Sequence, residues 1–129
     1  MWQDFRDYIL GETKGRQMKI AEIGVGKFAM IADELSENDN ITLIKTDIAP
    51  ADDTVIADDI TSPNLELYRD VELIYSIRPP SELQPYIADL AEKIGSQLII
   101  KPLTNEDLNT GRVKMKLKNF GKASFYTLR

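Results

Sequence analysis

The chain contains no cysteine and no histidine. The first absence excludes disulfides and thiolate metal sites, and the second removes the commonest general base, so zinc chemistry is not expected. No apolar run approaches the roughly 20 residues that cross a bilayer, and the first residues lack the basic-then-apolar pattern of a secretory leader. The expectation is a cytoplasmic protein with no membrane association. Acidic residues are missing from one end only. From Arg112 onward there are six basic residues and no acidic ones, so the first 111 residues carry a net −11 within a chain whose total is −5. Such a basic tail on an acidic body has two readings, lysines that protect a sheet edge from pairing or a strip that contacts nucleic-acid phosphates through Lys114, Lys116 and Lys118. At 129 residues the chain is expected to form a single domain with one site, residues 1–17 serving as a packing helix and linker.

What is present is organised around Met18 to Leu35. Met18 to Ile23 is a short apolar run of the kind found in a parallel strand covered on both faces. Gly24 and Gly26 then allow a sharp turn, and Phe28, Ile31, Ala32 and Leu35 follow at the spacing of one helical face. Strand, glycine turn and helix in that order place backbone N–H groups and the positive end of a helix at the turn, where a nucleotide-like ligand can be held.

Before this stretch, Trp2, Phe5 and Ile9 define the packing side of a first helix, with Gly11 and Gly15 ending it. After it, Ile41 to Thr46 reads as a second strand closed by Asp47, a carboxylate placed to accept from two adjacent ribose hydroxyls. Thr54 to Ala57 follows after too few residues for an ordinary helical crossover, which predicts a compressed loop. Asp52, Asp53, Asp58 and Asp59 do not match a calcium loop, and no metal is expected. Ser62 and Pro63 read as the start of a short helix, Val71 to Ile77 as a strong strand stopped by Arg78, Pro79 and Pro80. Ser81 and Gln84 have capping-box spacing before a stripe of Ile87, Leu90, Ala91 and Ile94 that Gly95 closes, and Gln97 to Ile100 is the next strand. Val113, Met115 and Leu117 alternate with lysines as a half-exposed strand does, Asn119 to Gly121 makes a turn, and Ala123 to Leu128 returns as a hairpin.

The resulting fold class is α/β, a three-layer Rossmann-like sandwich with a mostly parallel sheet and a C-terminal antiparallel β-hairpin. Gly24, Gly26, Asp47, Asp58, Asp59, Ser76 and Arg78 all fall at carboxyl ends of strands, where such sheets bind ligands.

Glu22, Gly24 and Gly26 in AEIGVG, Asp47, Asp58 and Asp59 in VIADDI, and the hairpin after the fifth strand together resemble a compact class I S-adenosylmethionine-dependent methyltransferase. With YSIRPPSEL included, the set is similar to a small uncharacterised archaeal family of that fold, over nearly the whole chain from Met18. The resemblance implies S-adenosylmethionine as cofactor. It implies that Glu22 helps hold the methionine end, that Gly24 and Gly26 let backbone approach it, that Asp47 binds ribose and that Asp58 or Asp59 contacts the adenine amino group. It places the transferable methyl beside Ser76 to Pro80, with Tyr75, Ser76 and Arg78 as polar candidates there and Ser76 and Arg78 as candidate catalytic residues. Three departures accompany it: Phe28 stands where a third glycine is common, the helix after the second strand is missing or vestigial, and Ser76 to Pro80 only loosely matches the Asp or Asn followed by two prolines of amino-methylating members.

Gly24, Gly26, Ala29 and Asp47 also satisfy a nicotinamide dinucleotide pattern. Against that reading stand the single-domain length and Glu22, which would repel a pyrophosphate but attract an ammonium. Three functions remain open on the sequence: a methyltransferase of unknown acceptor, a binder of S-adenosylmethionine that works without chemistry or with a partner protein, and a nucleic-acid-associated protein.

Overall fold

The apolar run at the centre of the sequence becomes the centre of the sheet. The computed structural model describes residues 1–102 and 108–128; Arg129, the last of the basic tail, lies outside them. Strands β1 (Met18–Ile23), β2 (Ile41–Asp47), β3 (Ile56–Ala57), β4 (Val71–Ile77), β5 (Gln97–Lys101), β6 (Lys116–Phe120) and β7 (Ala123–Leu128) form one seven-stranded sheet in the order β3-β2-β1-β4-β5-β7-β6. The first five are parallel, β7 is antiparallel to β5, and β6 is antiparallel to β7. This is the α/β architecture expected from the sequence. The order reverses between β1 and β4, and that reversal opens a crevice at their carboxyl ends.

Helices α1 (Trp2–Thr13) and α2 (Met30–Ser36) cover one face of the sheet and α3 (Gln84–Ile94) the other. The alternation of β1 serves both layers. Ile20 packs with Phe5, Ile9, Ile31 and Leu35, whereas Ala21 and Ile23 pack with Ile87, Ala88 and Ala91. Each fully buried large apolar side chain contributes about 1.5–3 kcal/mol. That term explains why α1 continues through Gly11 to Thr13 instead of ending at the glycine: a mid-helix glycine costs about 1 kcal/mol, less than the burial of Phe5 and Ile9 supplies.

The connection from β2 to β3 contains no helix. It closes through short side-chain turns, with Asp47 Oδ1 accepting from Ala49 N–H at 2.9 Å and Lys45 Nζ donating to Thr54 Oγ1 at 2.7 Å. The compressed loop is therefore observed, and it suffices because β3 is only two residues long.

Several local expectations are corrected. Phe28 precedes α2 and packs on Trp2, with ring centroids 4.7 Å apart, so it is not on the helical face. The short helix near Ser62 and Pro63 is a 3₁₀ turn over Leu65–Tyr68 capped by Asn64, whose side chain accepts from Glu66 N–H. No capping box joins Ser81 and Gln84; the Gln84 side chain is buried, donating to Pro79 O at 3.1 Å and accepting from Asn109 N–H at 2.7 Å. Val113 and Met115 precede β6, because Val113 is buried in a turn closed by the Thr110 hydroxyl donating to its carbonyl at 2.6 Å. The hairpin turn is Gly121 and Lys122, since β6 extends to Phe120. Among the described residues no helix is long and apolar enough to cross a membrane.

Candidate functional site

The loop after β1 is clipped to the end of β2. Gly24 and Val25 N–H both donate to Thr46 O, at 2.9 and 3.3 Å, and Gly26 N–H donates to Asp47 Oδ2 at 2.8 Å. Gly24 and Gly26 adopt φ of 72° and 56°, left-handed backbone that glycine occupies without strain. The Asp47 carboxylate thus ties the β1 loop to the β2 loop, one oxygen to each. It still has lone pairs to offer, because each carboxylate oxygen accepts two hydrogen bonds.

Beyond these loops lies a cavity of about 280 Å³. Its polar side is formed by Asp47, Asp58 and Asp59, its apolar wall by Ile23, Ile60, Leu83 and Ile87, and its far rim by Arg78, Pro79 and Pro80. Gly24 and Ser76 lie on its floor, and a Cβ on Gly24 would stand 4.0 Å from Ser76 Oγ. No residue of α2 lines it, so the helix end anticipated from the glycine turn is not part of the wall. Gly26 is likewise outside the lining and acts through its N–H on Asp47.

Asp58 and Asp59 are held differently. The Tyr68 hydroxyl is 3.0 Å from both Asp58 Oδ2 and Thr46 Oγ1; since a carboxylate only accepts, the phenol donates to Asp58 and receives the Thr46 hydroxyl. Burial, with Asp58 alongside, raises the Tyr68 phenol well above its ordinary value. Asp58 Oδ1 also accepts from Asn64 N–H at 3.0 Å. Asp59 Oδ1 accepts from the Thr61 hydroxyl at 2.7 Å and its N–H at 2.9 Å, which lowers the carboxyl below its usual range. Tyr68 and Thr46 were not legible as site residues in the sequence, because nothing local marks an aromatic at the end of a 3₁₀ turn as the partner of a carboxylate ten positions earlier.

Ser76 is buried and its hydroxyl donates to Ile23 O at 2.7 Å, bridging β4 to β1 under the cavity. Tyr75 and Glu22 face the opposite layer and do not line the cavity. Their side chains meet, the Tyr75 hydroxyl donating to Glu22 Oε1 at 2.7 Å, while Glu22 Oε2 has no hydrogen-bond partner among the described residues. Burial pushes the Glu22 carboxyl up to about 7, opposed by the Tyr75 hydrogen bond. Burial and the Glu22 charge together raise Tyr75 well above the ordinary phenol value.

Arg78 stands just past β4 with φ 56°, its N–H donating to Lys101 O at 2.7 Å. Its guanidinium sits over the Trp2 ring, 5.3 Å from the centroid. Trp2, read from the sequence as a packing residue, is half-buried against Phe5 and Phe28 and also supports the cavity rim. Tyr8 packs on Phe120 and Phe125. The lysine strip is remote in strand order: β6 forms the edge opposite β3, Lys116 and Lys118 are exposed, and Lys118 Nζ lies 5.9 Å from the Tyr8 ring centroid. Among the described residues no cluster of acidic side chains is arranged to hold a metal ion.

A parallel sheet reversing between β1 and β4, extended by an antiparallel hairpin and carrying a carboxylate-lined crevice at the reversal, defines a methyltransferase-like Rossmann fold. Solved structures agree. An S-adenosyl-L-methionine methyl transferase from Silicibacter pomeroyi superposes with TM-score 0.66 at 10% identity, covering 99% of this chain and 91% of that one. The antibiotic-resistance methyltransferase Kmr superposes with TM-score 0.57 at 10% identity, covering 95% and 91%. The chain belongs to the family described as Uncharacterised protein family (UPF0146), which it matches over residues 2–129. Relatives in that family come from archaea, among them a Methanothermobacter thermautotrophicus protein 44% identical over 98% of this chain and 93% of its own length.

Proposed function

We propose that the cavity binds S-adenosylmethionine and that the protein is a methyltransferase. The observation that carries this reading is the convergence of Gly24, Asp47, Asp58 and Asp59 on one cavity at the strand-order reversal. The donor set suits the cofactor. Asp47 has acceptor capacity for a ribose diol, Asp59 Oδ2 for an adenine amino group, and Ile60 offers an apolar face to a ring. A volume of about 280 Å³ falls just below the range, roughly 300–1,000 Å³, typical of small-ligand sites. Glu22 lies outside the lining, and with its carboxyl raised to about 7 by burial, a cationic ligand nearby would favour its charged form.

When bound, S-adenosylmethionine supplies an electrophilic methyl group. The chain's own task is then orientation: Asp47 and Asp59 fix the nucleoside end, the apolar wall excludes water, and the rim at Arg78 to Pro80 receives the acceptor in near-attack geometry. Ser76 serves as a strut, because its proton is committed to Ile23 O. That same commitment favours a second reading, a binder without chemistry, since the Ser76 hydroxyl is then already engaged. Methyl transfer to an acceptor that is already a good nucleophile needs none.

Calorimetric titration with S-adenosylmethionine and S-adenosylhomocysteine, with NAD as the control, tests the cofactor. Binding of the first two without the third supports the proposal; absence of binding to either removes it.

A further inference from the structure

Arg78 lines the cavity, and a second cation, Lys101, lies beside it outside the lining. Arg78 follows β4, Lys101 closes β5, and the backbone bond from Arg78 N–H to Lys101 O keeps them adjacent. Among the described residues neither side chain has a carboxylate partner. Lys101 is half-buried, and its ammonium is depressed below the ordinary value first by burial and then by the Arg78 charge. Two like charges this close repel each other, and an anion bound between them would relieve that repulsion.

The geometry around Arg78 shows how an anion would be received. A guanidinium over a ring engages its face, which leaves the N–H edge free to bind oxygen. Arg78 also adopts left-handed backbone, φ 56°, which L residues other than glycine seldom occupy. Arg78 also lines the cavity proposed to hold a sulfonium, and its positive charge is tolerable there when an anion neutralises it.

We infer that Arg78 and Lys101, with Trp2 as the platform beneath Arg78, form an oxyanion subsite that holds a carboxylate or phosphate substituent of the methyl acceptor. The inference rests on the S-adenosylmethionine reading of the neighbouring cavity and narrows the acceptor to a small anionic molecule. Arg78 and Lys101 are then specificity-determining residues, binding the substrate at a group distant from the atom that receives the methyl.

Trp2 is the single tryptophan of the chain, so its emission reports directly on the platform. The full chain is titrated with inorganic phosphate and, separately, with acetate, at constant ionic strength set with chloride. Amide chemical shifts at Ile77, Arg78 and Lys101 give affinities independent of the ring. The expected result is saturable binding of at least one oxyanion, weakened about tenfold in Arg78→Ala and in Lys101→Ala and partly restored in Arg78→Lys. Phosphate without acetate, or the reverse, identifies the substituent. No saturable binding, or binding unchanged in both alanine variants, overturns the subsite. An Arg78→Ala variant that loses S-adenosylmethionine while the parent binds no separate oxyanion also overturns it, because Arg78 then holds the cofactor's own carboxylate. Asp47→Ala separates the two readings: it is expected to lose S-adenosylmethionine and keep the oxyanion. A parent protein that takes the oxyanion but not S-adenosylmethionine sinks the cofactor reading and leaves the anion subsite standing.

Discussion

The two sides of the cavity differ in how far their charges are already satisfied. On the acidic side Asp47 and Asp58 have both oxygens hydrogen-bonded and Asp59 has one, through Gly26, Ala49, Asn64, Tyr68 and Thr61. On the other side Arg78 lines the cavity and Lys101 lies beside it, with no acid among the described residues paired to either. The acidic side is built before any ligand arrives, as preorganised binding requires, and its bonds hold the fold together as well. Among the described residues the Trp2 ring is the one group seen to stabilise the Arg78 charge, and no carboxylate does.

The contrast can be broken most forcefully at Glu22, the buried carboxyl on the opposite layer whose second oxygen has no hydrogen-bond partner among the described residues. Its neighbours are Tyr75, which donates to it, Lys45 on β2, which favours its charge, and Asp33 on α2, which opposes it. Because its pKa is raised by burial to about 7 from 4.5, the folded state holds the proton more tightly than the unfolded chain does. The Glu22 contribution is therefore fully present below pH 4.5 and is lost as pH rises to about 7, amounting to about 3 kcal/mol. Urea unfolding across that window is expected to show the decline, and Glu22→Gln to flatten it. An undiminished decline in Glu22→Gln would assign it to other groups.

Tyr68→Phe tests the bonded side next. It removes the hydroxyl that links Thr46 to Asp58 inside the layer beneath α3 and is expected to cost about 2 kcal/mol in urea unfolding. A change near zero would mean that the network is not preorganised by Tyr68.

The smallest effect sharpens the cationic side. At φ 56°, Arg78→Gly relieves backbone strain that Arg78→Ala retains, so the glycine variant is expected to be more stable than the alanine variant by about 1 kcal/mol. Thermal unfolding of the pair isolates the strain, since both lose the same guanidinium.

The sheet was readable wherever a strand is buried on both faces. Met18 to Ile23 and Val71 to Ile77 are mostly apolar and stop at Gly24 and just before Arg78 and Pro79, and both strands have those limits. Elements decided by tertiary contact were not readable. Gly11 stays helical because Phe5 and Ile9 anchor its helix, Phe28 leaves the expected helical stripe to meet Trp2, and Val113 alternates like a strand residue while sitting in a turn. The site divides in the same way. Gly24, Asp47, Asp58, Asp59, Ser76 and Arg78 end strands, so topology alone gathers them. Tyr68 and the Trp2 platform depend on packing between elements far apart in the chain, which no spacing rule encodes.

The central claim is that the acidic side of this cavity holds the nucleoside end of S-adenosylmethionine. The most direct measurement is a calorimetric titration of the parent protein and of Asp47→Ala with that cofactor. The account predicts saturable one-to-one binding in the parent and a loss of about tenfold or more in Asp47→Ala, the variant remaining folded by circular dichroism. Equal affinity in the two folded proteins, or none in the parent, would contradict it.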